Sequence, residues 1–135
     1  MHNYPLEIRI RMKTVDENLV AAKSKAFAIR CIRLYDYLRE RRANYVLNLQ
    51  LLKSGTSVGA NVKEAIRGQS RPDFGSKMNL ALKEASESEY WLELMLETGI
   101  LTEEQAISIL NDCRELLRLL TSIVKTTFQN QPSNA

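Results

Sequence analysis

One histidine, two cysteines, five glycines and three prolines in 135 residues leave little material for several kinds of protein. The lone histidine, His2, stands at the start of the chain. No internal imidazole is therefore available as a general base, and the Glu-x-x-His pairs of a di-iron bundle cannot be built. Cys31 and Cys113 lie inside helical patterns, without metal-ligand spacing and away from helix starts. They read as small buried apolar side chains in a reducing compartment. No apolar run approaches the roughly 20 residues that a bilayer span needs. The opening MHNYPLEIRIRMK lacks the apolar stretch of a secretory signal. These absences predict a cytoplasmic protein with no membrane partner. The glycines of SGTSVGAN miss the phosphate-loop spacing and its Lys-Ser/Thr ending. Glu64, Glu84 and Glu87 can converge, but without histidine they read as a structural polar cluster. The sequence thus predicts no enzyme, no catalytic residue, no metal ligand and no cofactor.

What is present is helix. With 44% apolar and 26% charged residues, the chain has the composition of one globular domain. Thr14-Val15-Asp16-Glu17 fits a capping box and predicts a first helix to about Arg39, with Leu19, Ala22, Ala26, Ile29, Leu34 and Leu38 as its inward stripe. Asn44 suits the cap of a second helix reaching about Gly68. Ser70 and Pro72 suit the start of a third, and Gly99 its stop. Thr102-Glu103-Glu104-Gln105 is a second capping box, opening a fourth helix to about Thr127. Long helices with short links run antiparallel, which predicts an all-α, up-down-up-down four-helix bundle. Residues 1–13 then read as a flexible N-terminal segment, 14–127 as the bundle domain and 128–135 as a disordered tail.

The fourth helix carries more apolar surface than one bundle helix needs. Ala106, Leu110, Cys113, Leu117, Leu120 and Val124 form one line, Ile109, Leu116 and Ile123 a second, and Leu119 lies further round. Their arc approaches about 180°, against the roughly 100° a core-facing stripe requires. Tyr90-Trp91-Leu92 and Leu94-Met95-Leu96 leave the end of the third helix almost without a polar face. Surplus apolar surface predicts association with further copies of the chain. The second helix has the opposite character. Ser54, Ser57, Asn61 and Glu64 fall on one face as a polar seam, and Gly55 and Gly59 make a nearly bare strip beside it. Each glycine costs roughly 0.8–1 kcal/mol of helix propensity relative to alanine. A close helix–helix or subunit crossing would offset that, so these six residues and Trp91 are the candidate contact residues.

Charge is distributed unevenly. Residues 1–83 hold sixteen Lys/Arg against seven Asp/Glu, and residues 84–135 three against nine, giving +9 and −6. Antiparallel pairing places Arg39, Arg41 and Arg42 at one end of the bundle, with Lys53 about two turns into the second helix. It predicts a further cluster at the other end from Lys23, Lys25, Arg67, Arg71 and Lys77. Symmetric repetition would make each a basic ring able to hold RNA or DNA by its phosphates, with Tyr35, Tyr37 and Tyr45 the few aromatics near. The alternative is an oligomeric scaffold that recruits a protein partner and binds no nucleic acid.

QLLKSGTSVGANVKEAIRGQSRPDF, followed by KMNLALKEASESEYWLEL, resembles the 23S rRNA intervening-sequence proteins, also called four-helix-bundle proteins, over roughly residues 23–126. Gly75 departs from the family pattern, which has a bulkier apolar residue there. The resemblance implies a small bacterial up-down bundle that assembles as a ring- or barrel-shaped homopentamer. A relative, the accessory protein of diversity-generating retroelements, is likewise a pentameric bundle that binds nucleic acid and a reverse transcriptase.

Overall fold

In a computed structural model, residues 5–68 and 70–129 are described, together with the side chains of all but 8–14. They form four helices: α1 (Leu6–Glu40), α2 (Tyr45–Arg67), α3 (Arg71–Glu97) and α4 (Glu103–Gln129). Contacts between neighbours run in opposite numbering. Ser24 lies against Gly59 and Cys31 against Gly55; Glu64 meets Lys77 and Ser54 meets Ser88; Gly75 lies against Thr127 and Glu89 meets Arg114. Each helix is thus antiparallel to the next, and α4 returns to α1, so the chain is an up-down four-helix bundle. The α1–α4 seam is the thinnest of the four, and among the described residues the α1 and α3 backbones make no close approach.

The links follow local chemistry. Asn44 accepts from the Leu47 amide at 3.0 Å and opens α2. Ser70 accepts from the Asp73 amide at 3.2 Å and opens α3. Thr102 and Gln105 bond each other's backbone amides reciprocally, at 3.2 and 3.0 Å, so that box is fully formed. Gly99, at φ +77°, supplies the left-handed turn that ends α3.

The first helix departs from expectation at its start and on its faces. It begins at Leu6, behind an extended Pro5, and the Thr14–Glu17 box lies inside it. A capping box is only a possible start, and nothing in Leu6–Lys13 breaks a helix. Residues 1–4 of the expected flexible segment, His2 among them, lie outside the described residues, as do 130–135 of the expected tail. Phe128 and Gln129 belong to α4. The buried line of α1 is Val20, Ser24, Phe27, Cys31 and Leu38. Of the expected inward stripe only Leu38 is fully buried and Leu34 partly. Leu19, Ala22, Ala26 and Ile29 are exposed. The helix carries two apolar stripes, and the one with the larger, aromatic-anchored contact entered the core.

The fourth helix is corrected in the other direction. Ala106, Leu110, Cys113 and Leu120 are buried, and so are Ile109, Leu116 and Ile123 of the second line. Leu117, Leu119 and Val124 are half-buried against the same core. Most of the wide arc is used within one bundle, because α4 packs on both α3 and α1. Gly75 also finds its reason here. A methyl group at that position would stand 3.1 Å from Thr127 Cγ2 and 3.4 Å from the Phe128 ring. The missing side chain is replaced by the last turn of α4.

Candidate nucleic-acid interface

The polar seam of α2 divides by depth. Ser54 is buried and its hydroxyl shares a 2.8 Å hydrogen bond with Ser88 Oγ of α3; with the single Ser88 proton given to the Glu84 carbonyl at 2.9 Å, Ser54 is the donor between the two hydroxyls. Gly55 lies over Cys31, where a methyl group would come within 3.0 Å of the Cys31 Cβ, and one on Gly59 would stand 3.3 Å from the Ser24 carbonyl oxygen. These three residues make the close α1–α2 and α2–α3 crossings inside one chain. Ser57 is half-buried, and Asn61 donates back to the Ser57 carbonyl at 2.9 Å. Glu64 is exposed and pairs with Lys77 at 3.1 Å. Trp91 is half-buried beside Tyr90, with ring centroids 5.2 Å apart, and its indole N–H finds no acceptor among the described residues.

The basic residues separate into neutralised and free. Lys23 reaches across the α1–α4 seam to Glu115 at 2.8 Å. Arg30 pairs with Asp112 at 2.6 Å and donates to Ser108 Oγ at 3.0 Å. Lys77 is engaged by Glu64, and an open depression at that end mixes Lys63, Arg67 and Lys77 with Glu64 and Asp73. The expected second cluster is therefore not assembled. Lys23 faces α4, whereas Lys77 lies at the α2–α3 seam, and helices α1 and α3 stand diagonally. Lys25, Lys53, Arg67 and Arg71 are exposed but dispersed over three helices.

The α1–α2 corner is different. Arg39, Arg41 and Arg42 are exposed, and none has a carboxylate partner among the described residues. The link that presents them is tightly tied. The Arg42 and Ala43 amides donate to the Arg39 and Leu38 carbonyls, both at 3.0 Å, and Arg42 takes a left-handed φ of 54°. Asn48 of α2 donates to the Tyr35 carbonyl of α1 at 3.1 Å, fixing the two helices at this level. The Arg41 guanidinium lies 3.6 Å from the centre of the Tyr37 ring. The Tyr37 hydroxyl accepts from Gln105 of α4 at 3.0 Å. A planar cation resting on an aromatic face is held in place while its N–H groups stay available. Sequence reasoning missed Arg33, exposed and also without a carboxylate partner among the described residues, although the four-residue spacing puts Arg33 and Tyr37 on one face of α1, with Arg41 continuing that line at the helix's C-cap.

Other chemistry is sparse. Burial pushes the thiols of Cys31 and Cys113 up to about 12, which keeps both as neutral side chains. Desolvation and then the neighbouring Glu87 raise the Glu84 carboxyl. No group of three metal-ligating side chains occurs among the described residues, and no helix there is long and apolar enough to cross a membrane.

A four-helix bundle with an arginine corner that lacks carboxylate partners among the described residues defines a small all-helical bundle protein. The family of 23S rRNA-intervening sequence proteins matches residues 16–122, and the chain belongs to it. Among solved structures it is similar to a protein of unknown function from the S23 ribosomal protein family of Bacteroides thetaiotaomicron VPI-5482. The two share 50% identity, with a TM-score of 0.78, over 82% of this chain and 98% of that one. A search of the curated proteins finds no match.

Proposed function

We propose that the protein is a non-enzymatic, self-associating bundle of the cytoplasm that holds RNA by its phosphate backbone at the α1–α2 corner. The observation that carries this reading is the set Arg33, Arg39, Arg41 and Arg42, exposed and free of acidic partners among the described residues while Lys23, Arg30 and Lys77 are neutralised. Unpaired arginines on a fixed link can exchange bound counterions for phosphates. The family's name, which refers to an intervening sequence of 23S rRNA, makes RNA the first target to test. Self-association is supported by the uncovered apolar stripe of α1. The basic half of the sequence builds α1, α2 and the start of α3, and the acidic half the rest, so copies can meet basic side to acidic side. In a closed assembly, the homopentamer included, each arginine corner repeats around the ring. The same stripe also favours a second reading, in which the assembly recruits a protein and leaves RNA alone.

The test is Arg41→Glu with Arg42→Glu, followed by light scattering and gel shift with a mixed RNA pool at 0.15 M salt. The wild type shifts with RNA, with a steep salt dependence. The variant keeps its mass and loses at least roughly tenfold in affinity, since each phosphate contact contributes to the salt-dependent term. A wild type indifferent to RNA sinks the proposal and leaves the scaffold reading.

A further inference from the structure

Beside the arginine corner stand two apolar side chains with no structural reason to be there. Tyr45 and Val46, the first residues of α2, are 66% and 67% exposed, above every other large hydrophobic side chain among the described residues. The core does not need them, since Leu47, Asn48 and Leu51 make the inward turn at this end of α2. Nor does the helix start, because Asn44 caps it and both Tyr45 and Val46 point to water. Three residues separate the Tyr45 backbone from that of Arg41, and the link between them is held by four hydrogen bonds, from Arg42, Ala43, Leu47 and Asn48. A bare aromatic ring and three exposed arginines are therefore carried within seven residues on one hydrogen-bonded turn, Arg41 being held over the Tyr37 ring.

We infer that this corner takes single-stranded nucleic acid in preference to duplex, with the Tyr45 ring as a stacking platform for an unpaired base and Arg39, Arg41 and Arg42 on the flanking phosphates. The inference rests on the RNA-binding reading and deepens it. A duplex offers phosphates alone to such a surface, because its bases are stacked on one another and their faces are closed. A loop or single strand offers both phosphate and base face, and stacking on an aromatic ring is tolerant of sequence. Tyr37 does not serve in the same way, since its ring already carries the Arg41 guanidinium. Val46 supplies apolar contact beside the seat.

The experiment uses the full chain and two probes, a twelve-nucleotide RNA without self-complementarity and the same strand annealed to its complement, at 0.15 M salt. The wild type binds the single strand at least tenfold more tightly than the duplex. Tyr45→Ala lowers single-strand affinity roughly tenfold and leaves duplex affinity and assembly mass unchanged, while Tyr45→Phe, which keeps the ring, behaves as wild type. Tyr45 is exposed and has no hydrogen-bond or ring partner among the described residues, so circular dichroism and melting temperature stay put in both variants. Equal binding of the two probes, or an equal loss on both with Tyr45→Ala, overturns the stacking seat and spares the RNA-binding reading. A fall in assembly mass with Tyr45→Ala also overturns it, making the ring a subunit contact. Binding of neither probe by the wild type overturns both.

Discussion

Gly55 and Cys31 show how little room separates α1 from α2. A methyl group at Gly55 would come within 3.0 Å of the Cys31 Cβ and closer still to its sulfur, and both residues are buried. Rotating the thiol away cannot relieve the contact with Cβ, so the helices must part. Overpacking of this kind costs about 1–3 kcal/mol, against roughly 0.8–1 kcal/mol regained by replacing a helical glycine with alanine. Gly55→Ala should therefore destabilise the fold by about 1 kcal/mol, and by no more than about 2, in urea unfolding. Cys31→Ala in the same chain removes the sulfur, and should recover part of that loss although it destabilises the wild type on its own. Simple additivity of the two substitutions would show that the pair is not in contact in the way described. Gly59 faces a backbone oxygen at 3.3 Å, a milder conflict. The sequence made this strip legible as a close crossing, because two glycines four residues apart in a helix are costly without one. Which helix approached was not legible, since a crossing within the chain and one between chains place the same demand on α2.

At the scale of the element, α1 is the informative helix. Its caps were the weak point of the sequence reading, and its faces more so. Val20, Phe27, Cys31 and Leu38 make one stripe, and Val15, Leu19, Ala22, Ala26 and Ile29 make another on the opposite side. Periodicity reports that a stripe exists, and with two present it does not say which one the core takes. The helices whose flanks carried unambiguous caps, Asn44, Ser70 and Thr102, were legible nearly to the residue. On α4 the breadth of the apolar arc was seen correctly, but its use was not, because a bundle helix that serves two neighbours needs more than one stripe. The faces of α1 can be separated by truncation. Phe27→Ala removes a ring from a fully buried site and should cost about 3–5 kcal/mol. Ile29→Ala, two residues away and on the outer stripe, should change the stability of the isolated fold by no more than about 0.5 kcal/mol. Denaturation at low protein concentration makes the comparison, and similar losses at both sites would return Ile29 to the core.

For the whole molecule, the outer stripe of α1 raises the question of assembly. Val15, Leu19, Ile29 and Ile32 are between 38% and 58% exposed, on the face of α1 turned from the core and flanked by Lys25 and Arg33. Aliphatic side chains recurring every three or four residues on a solvent face are the signature of a helix that expects a partner. The sequence predicts association and places its cause on α3 and α4, where the structure finds most of that surface already spent. The structure moves the prediction to α1 and makes it sharper. Leu19→Lys together with Ile29→Lys should leave the melting temperature of the single bundle nearly unchanged, because neither side chain is buried, while light scattering falls to the mass of one chain. Association and RNA binding then come apart experimentally. A long RNA can touch several arginine corners of one assembly, a short one only a single corner, so the dissociated variant should lose affinity for the long RNA far more than for the short. A wild type that already runs as one chain, or a double variant that stays assembled, would remove the outer stripe from the account of assembly. Equal losses on long and short RNA would instead mean that the stripe itself shapes the nucleic-acid site.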